Sequence, residues 1–174
     1  IPVRRRSPSS ARRTERVPPV RERVRDAPRL TVLGPGVPEE AVLASFAAEA
    51  RPFVRVVARA PEDEVMRHYR AHDVLVACST YEGFGMVIVE AMSQRLPVVA
   101  TPVGCAPLVV RDGESGLLVP PRDPAALAAA LRRVMRDADG RRAMGARAAD
   151  AVRALTWRAT AGRTLEVYRA AGAR

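Results

Sequence analysis

The stretch CSTYEGFGMVIVEAMSQRLPVVATP, Cys78 to Pro102, decides how the rest of the chain is read. Before it lies a short apolar run, Asp73 to Ala77, and inside it a second, Leu96 to Ala100, both of buried-strand type. Between the two runs a glycine-bearing turn, Glu82-Gly83-Phe84-Gly85, opens a segment of helical length. The unit is strand, turn, helix, strand. Gly83 and Gly85 permit backbone conformations and close approach that a Cβ would obstruct. A helix that starts near Gly85 presents unpaired N–H groups and a positive dipole end, which suits phosphate. Its residues Met86, Val87, Ile88, Val89, Ala91 and Met92 are apolar nearly all round, so the pattern predicts a buried helix.

Glu90 interrupts that apolar run, and a carboxylate there is costly unless something donates to it. Sugar hydroxyls would serve, because an ionised carboxylate only accepts hydrogen bonds. Glu82 lies near the same helix mouth. Two acids flanking a phosphate-type helix N-terminus point to a nucleotide-sugar. Spacing alone leaves the plain alternative open: Glu82 as a turn acid, and Glu90 as a helix residue at the protein edge.

The chain has 174 residues, enough for one domain with a real core. Hydrophobic residues make up 48% but aromatics only 4%, so aliphatic side chains must do the packing. All 29 basic residues are Arg, and with 19 acids the net charge is +10. Ile1 to Arg29 holds ten Arg against three acids, a net +7, which leaves +3 for the remainder. That distribution describes a basic tail on a mildly basic domain, not a uniform face for a specific nucleic acid. The two cysteines, Cys78 and Cys105, form no disulfide framework or metal spacing and read as reduced, buried thiols. No apolar run approaches the ~20 residues needed to cross a membrane, and no signal-peptide pattern is present, so the expected location is the cytoplasm.

Taken in order, Ile1 to Pro28 reads as an Arg- and Pro-rich tail, disordered or serving as a polyanion-binding arm. Residues 29–174 form the domain. Arg29 to Gly34 is the first strand. The Gly34-Pro35-Gly36 that follows fails as a dinucleotide fingerprint, because Glu39 occupies the third glycine position. Helices are predicted over Pro38 to Ala50 and from Ala60 to about His72, with a strand at Phe53 to Val57 between them. His68 and His72 stand four apart without a third ligand, and are expected to be one packed and one exposed. Ser79 and Thr80 lack the His-Asp partners of a nucleophile. Thr101 to Gly104 is a loop at a strand's C-terminal end, the edge where open α/β sheets bind ligands. A short strand at Leu117 to Val119 follows, then helices from Asp123 to about Arg136, Asp139 to Arg153, and a last one capped by Thr156. Strands alternating with helices give an α/β fold with a parallel, Rossmann-like sheet flanked by helices and ending in helices.

The spacing Glu82-x7-Glu90 in EGFGMVIVEAM, followed by LPVVAT, resembles the donor-binding signature of GT-B glycosyltransferases of family 4 type. HYRAHDVLVACSTYEGFG, RDGESGLLVPPRDPAALAAAL and TWRATAGRTLEVYR are similar to the family's further blocks and come in its order, from about Leu30 to the C-terminus. The resemblance implies the C-terminal, donor-binding half of a two-domain enzyme. Such an enzyme transfers a hexose from a UDP- or GDP-sugar, with retention at the anomeric carbon and no metal or other cofactor. It implies a catalytic role for Glu82 at the donor sugar and a ribose contact for Glu90. Gly83, Phe84, Gly85, Met86, Val87 and Thr101 would surround the sugar and pyrophosphate, with Arg59 near the base. Acceptors of such enzymes leave peripheral membrane contact open.

The chain also departs from the pattern. It has no Lys, and Ile1 to Arg29 shows no Arg-x4-Lys-Gly loop of the kind that neutralises the pyrophosphate in the family. Arg95 stands where the family usually has Gly, and Gly104-Cys105-Ala106-Pro107-Leu108 replaces a loop of two glycines and an acid. The acceptor domain is not in the sequence, and the last helix would ordinarily cross to it. Two alternatives to an active transferase follow. One is a non-catalytic nucleotide-sugar-binding module, or a truncated remnant, working with a separate acceptor-domain chain. The other is an Arg-rich protein that binds polyanions through its tail.

Overall fold

The structure, a computed structural model, describes residues 28–172. The stretch read as a basic tail thus lies almost wholly outside the described residues. The first strand, β1 (Leu30–Leu33), leads to α1 (Glu39–Ala44), and after a 3-10 turn at Arg51–Phe53 comes β2 (Val54–Val57). β1 and β2 pair in parallel, Leu30 opposite Val54 through Leu33 opposite Val57. Helix α2 (Glu62–Ala71) crosses to β3 (Leu75–Ala77), and α3 (Met86–Ser93) connects β3 to β4 (Val98–Ala100). The short helix α4 (Ala106–Val109) leads to β5 (Gly116–Leu118), and α5 (Pro124–Arg136), α6 (Ala138–Val152) and α7 (Trp157–Ala170) complete the chain. β3, β4 and β5 form a second parallel sheet with β4 in the middle. Parallel strands linked by helical crossovers are the predicted α/β class.

Burial concentrates where the opening stretch was read. All of β4 and Ile88, Ala91 and Met92 of α3 are fully buried. Val98 and Ala100 and these three residues of α3 pack with Tyr69 from α2 and with Ala148 and Val152 from α6 in one cluster. A second cluster joins Val99, Leu117 and Val119 on the sheet to Val134 of α5 and Met144 of α6. β4 is apolar on both faces because helices cover both, as in a buried parallel sheet. Leu127 and Leu131 of α5 pack against the second cluster.

The helix starts follow the capping chemistry read from the sequence. Asp123 accepts from Ala126 N at 2.8 Å, with Pro124 in the first turn of α5. Thr156 accepts from Ala159 N at 3.1 Å at the start of α7. The helix predicted over Pro38 to Ala50 stops at Ala44, because the Ser45 hydroxyl turns back and donates to Val42 O at 2.6 Å. The helix predicted from Asp139 starts at Ala138, capped by Asp137, which accepts from Gly140 N. Helix α4 was not anticipated, although Pro107 in its first turn is a start signal.

Among the described residues no ladder pairs β1 with β3. His72 bridges the two sheets, its Nε2 lying 2.8 Å from Thr31 Oγ1 on β1 and its Nδ1 2.7 Å from His68 O. A carbonyl only accepts, so Nδ1 carries the proton in the neutral ring and Nε2 accepts from the threonine hydroxyl. Both His68 and His72 are half-buried, which corrects the expectation of one packed and one exposed. A cavity of about 70 Å³ remains between the sheets, lined among others by Leu33, Leu75 and Leu96.

α3 ends in a Schellman motif. Leu96 N donates to Ala91 O at 3.1 Å and Arg95 N to Met92 O at 3.0 Å, which places Arg95 in the left-handed region at φ 62°. The glycine usual at this position in the resembled family would adopt that conformation without strain. Gly145 of α6 lies directly over the motif, where a Cβ would come within 2.1 Å of Arg95 O. Two outcomes are expected in urea unfolding. Arg95→Gly raises stability by about 0.5–1 kcal/mol by removing left-handed strain. Gly145→Ala lowers it by about 1–3 kcal/mol by prising α6 off the end of α3.

Candidate functional site

The site is built where β3 and β4 end. β3 delivers Cys78 and Ser79 to the turn that contains Glu82 and Gly83, and Gly85 enters α3 in the left-handed region at φ 86°. β4 delivers Thr101 to a second loop, 101–105, which lies against the first. Cys105 N donates to Phe84 O at 2.6 Å, and the buried Cys105 thiol lies 3.5 Å from Gly85 O. Gly104, at φ 57°, touches the turn so closely that a Cβ would fall 2.5 Å from Phe84 O and 2.9 Å from Glu82 Cβ. The two loops are thus clamped together through a position that only glycine can occupy.

The clamp fixes the mouth of α3. Among the described residues no side chain caps this helix, unlike α5, α6 and α7. The N–H groups of Phe84, Gly85, Met86 and Val87 have no partner among the described residues. Gly85 in the left-handed conformation, followed by right-handed helix, is a backbone geometry whose unpartnered amides suit an anion.

The expectation that α3 is buried all round is corrected at this end. Met86 is 48% and Val87 44% exposed. At 100° per residue they share a face with the half-buried Glu90, while Ile88, Ala91 and Met92 take the opposite face into the core. The face that the apolar pattern hid is the open one. Phe84 and Tyr81 extend the same exposed apolar rim.

Both acids are half-buried, and each is held by a neutral hydroxyl. Ser79 Oγ donates to Glu82 Oε1 at 2.6 Å. Tyr69 Oη donates to Glu90 Oε2 at 3.1 Å. Burial, and then the Glu90 carboxylate beside it, push the Tyr69 phenol far above its ordinary range, so it remains a donor. Among the described residues the second oxygen of each carboxylate has no hydrogen-bond partner and is left for a donor from outside. Among the described residues neither acid pairs with an Arg, which would take both oxygens in a fork.

Thr101, named from the sequence, is only 2% exposed and faces inward: its hydroxyl donates to Ser79 O at 2.5 Å. It therefore supports the Glu82 loop from behind. Gly83 lies open in the turn, with nothing within 4 Å of a built Cβ. Arg59 is exposed in the loop after β2. Cys78, expected to be buried, is exposed at the end of β3, although the part of the thiol that is covered raises its pKa. Tyr69 and Ser79 were not singled out as partners of the acids. The Ser79-x2-Glu82 spacing was visible, but the Tyr69–Glu90 bond spans two helices and left no local trace. Among the described residues no three His, Cys, Asp or Glu side chains gather as metal ligands. No described helix is long and apolar enough to cross a membrane.

Comparison with known proteins gives the geometry a context. The family model described as glycosyl transferases group 1 matches residues 13–137. A D-inositol 3-phosphate glycosyltransferase of Kineococcus radiotolerans is 45% identical over 126 residues, covering 68% of this chain and 29% of that protein. The chain spans under a third of the length of the curated relatives it matches. Sucrose-phosphate synthase of Thermosynechococcus elongatus superposes with a TM-score of 0.73 at 32% identity, over 83% of this chain and 39% of that one. The HepE protein of Anabaena, solved with UDP and glucose, superposes with a TM-score of 0.53 at 29% identity, over 57% of this chain and 27% of that one.

Two outcomes are expected from the site geometry. Gly104→Ala, which drives a Cβ into Phe84 O, loosens the clamp and costs about 1–3 kcal/mol in chemical unfolding. The Tyr69 hydroxyl contributes through its neutral form. Above about pH 10 the unfolded chain releases that proton while the folded protein retains it, so stability falls with rising pH. The destabilisation caused by Tyr69→Phe is therefore full at pH 8 and shrinks by pH 11. A penalty that stays constant across that range refutes the assignment.

Proposed function

The chain belongs to the glycosyl transferases of group 1, and on that footing we propose that the mouth of α3 holds a nucleoside diphosphate sugar as donor. One observation carries this reading. The uncapped N-terminus of α3 is flanked by two half-buried carboxylates, each oriented by a hydroxyl and each with one oxygen open. The amides suit a diphosphate, and the carboxylates suit the hydroxyls of the two sugars.

In this reading the diphosphate meets the N–H groups of Phe84 to Val87. Glu82 accepts from the transferred hexose, and Glu90 accepts from the ribose. Arg59, beyond β2, lies on the side of the base. When the bond from the anomeric carbon to the β-phosphate oxygen breaks, the electron pair leaves with the diphosphate. The helix amides stabilise that developing charge, and fixed donors of this kind carry much of the catalysis in charge-separating reactions. The acceptor oxygen forms the new bond, its proton passing to the departing β-phosphate oxygen, with the anomeric configuration retained. No metal is required by this scheme, and the setting proposed is the cytoplasm. UDP is favoured over GDP by the likeness to the UDP-bound HepE protein.

The exposed rim of Tyr81, Phe84, Met86 and Val87 favours one variant of the scheme. In it these residues form the donor wall of a cleft whose acceptor wall is supplied by other residues, in a longer protein or in a separate chain. The described residues alone then bind donor and transfer little.

Titration calorimetry of the chain with UDP-glucose and GDP-glucose tests the reading. Measurable binding of UDP-glucose is expected, weakened about 10-fold or more by Glu90→Ala, since hydrogen bonds to a charged group are the strong ones. Glu82→Ala should weaken UDP-glucose while leaving UDP itself nearly unchanged. Absence of binding, or indifference of binding to both substitutions, overturns it.

A further inference from the structure

We propose that Tyr69 is a positioning residue that sets the Glu90 carboxylate for the nucleotide ribose; this rests on the donor-site reading above. Tyr69 comes from α2, on a different element from either acid, and is 8% exposed. Among the described residues its hydroxyl bonds only to Glu90 Oε2, and the Glu90 carboxylate takes no other side-chain donor. A glutamate side chain has several rotatable bonds, and an unheld one would have to be frozen by the ligand at binding. With Oε2 tied to the phenol, the rotamer is chosen in advance and Oε1 is presented on the open face shared with Met86 and Val87.

The choice of partner matters. A phenol donates one proton and takes part of one oxygen, while a carboxylate has about four acceptor sites. Room remains for both ribose hydroxyls. An arginine in the place of Tyr69 would neutralise the carboxylate and occupy both oxygens. The phenol holds the acid without spending its charge, and the burial that keeps it protonated keeps the bond in force throughout the neutral range. Tyr69 belongs to the buried cluster that joins α2 to α3, so packing holds the ring and the hydroxyl bond aims it at the carboxylate.

The experiment measures the affinity of the chain for UDP and for 2′,3′-dideoxy-UDP by calorimetry, in wild type, Tyr69→Phe, Glu90→Gln and the double variant. Wild type should prefer UDP. Tyr69→Phe should lower that preference about 3- to 10-fold, the worth of one ordinary hydrogen bond, with the dideoxy affinity unchanged. In the Glu90→Gln background the same change should make no further difference. Tyr69→Met, which also removes the hydroxyl and keeps an apolar side chain in the cluster, should lower the preference in the same way and stands in if Tyr69→Phe does not fold. Equal loss of affinity for both nucleotides, or an undiminished preference for UDP, overturns the positioning role and leaves the donor site standing. No binding of UDP by the wild-type chain overturns the donor-site reading and this inference with it.

Discussion

The close contact between loop 101–105 and the turn at Glu82–Gly85 is the constraint on which the rest of the site depends. It is a backbone bond, Cys105 N to Phe84 O, made possible because Gly104 has no side chain to push the two loops apart. Adjacent parallel strands end side by side, so the loops that leave β3 and β4 must pass each other at the same edge. Here they lock. The lock places Gly85 in a left-handed conformation and so determines the direction in which the first amides of α3 point. It also carries Thr101 under Ser79, and Ser79 holds Glu82. A chain of two contacts runs from the end of β4 to the oxygen of the first acid.

Local physics then decides how the acids are used. A carboxylate that is half removed from water needs a donor, and the cheapest strong one is a guanidinium. In a chain with 29 arginines, none is paired with Glu82 or Glu90 among the described residues, while Asp63, Asp73, Asp139 and Asp150 all have Arg partners. The two acids near the mouth instead take one hydroxyl each. Serine and tyrosine hold a carboxylate without cancelling its charge or filling its acceptor sites. This difference sets Glu82 and Glu90 apart from the four aspartates that pair with arginine.

Much of this was legible in the sequence, and the rest was not for identifiable reasons. The strands at β3 and β4, the helix starts at Asp123 and Thr156 and the pair Glu82 and Glu90 follow from local rules: apolar runs, caps, and spacing along one helix. The open face of α3 did not follow, because Met86 and Val87 are as apolar as Ile88 and Met92, and periodicity cannot say which apolar face the chain itself covers. Tyr69 was invisible as a partner because its bond to Glu90 joins residues 21 apart through the packing of α2 on α3. Ser45 ending α1 and Arg95 in a left-handed position are each choices of a single side chain or dihedral, below the resolution of a pattern. Cys78 was misplaced for a related reason: it follows the last residue of β3, at the edge where the sheet opens, and an apolar neighbourhood in the sequence does not show that edge.

The exposed apolar rim beside the acids has a physical consequence for the proposed chemistry. Tyr81 is 83% exposed, and Phe84, Met86 and Val87 are each about half exposed, next to amides that would face a diphosphate. In open water those amides compete with solvent, and their attraction for an anion is screened. A surface that covered the rim would bury apolar area and exclude water from the amides in one step. Both effects strengthen the same contacts, because hydrophobic closure lowers the local dielectric exactly where charge would develop. The rim is therefore not a packing defect of α3. It is the part of the helix whose burial gains most when it comes together with the charge, and least when it comes from the chain's own core.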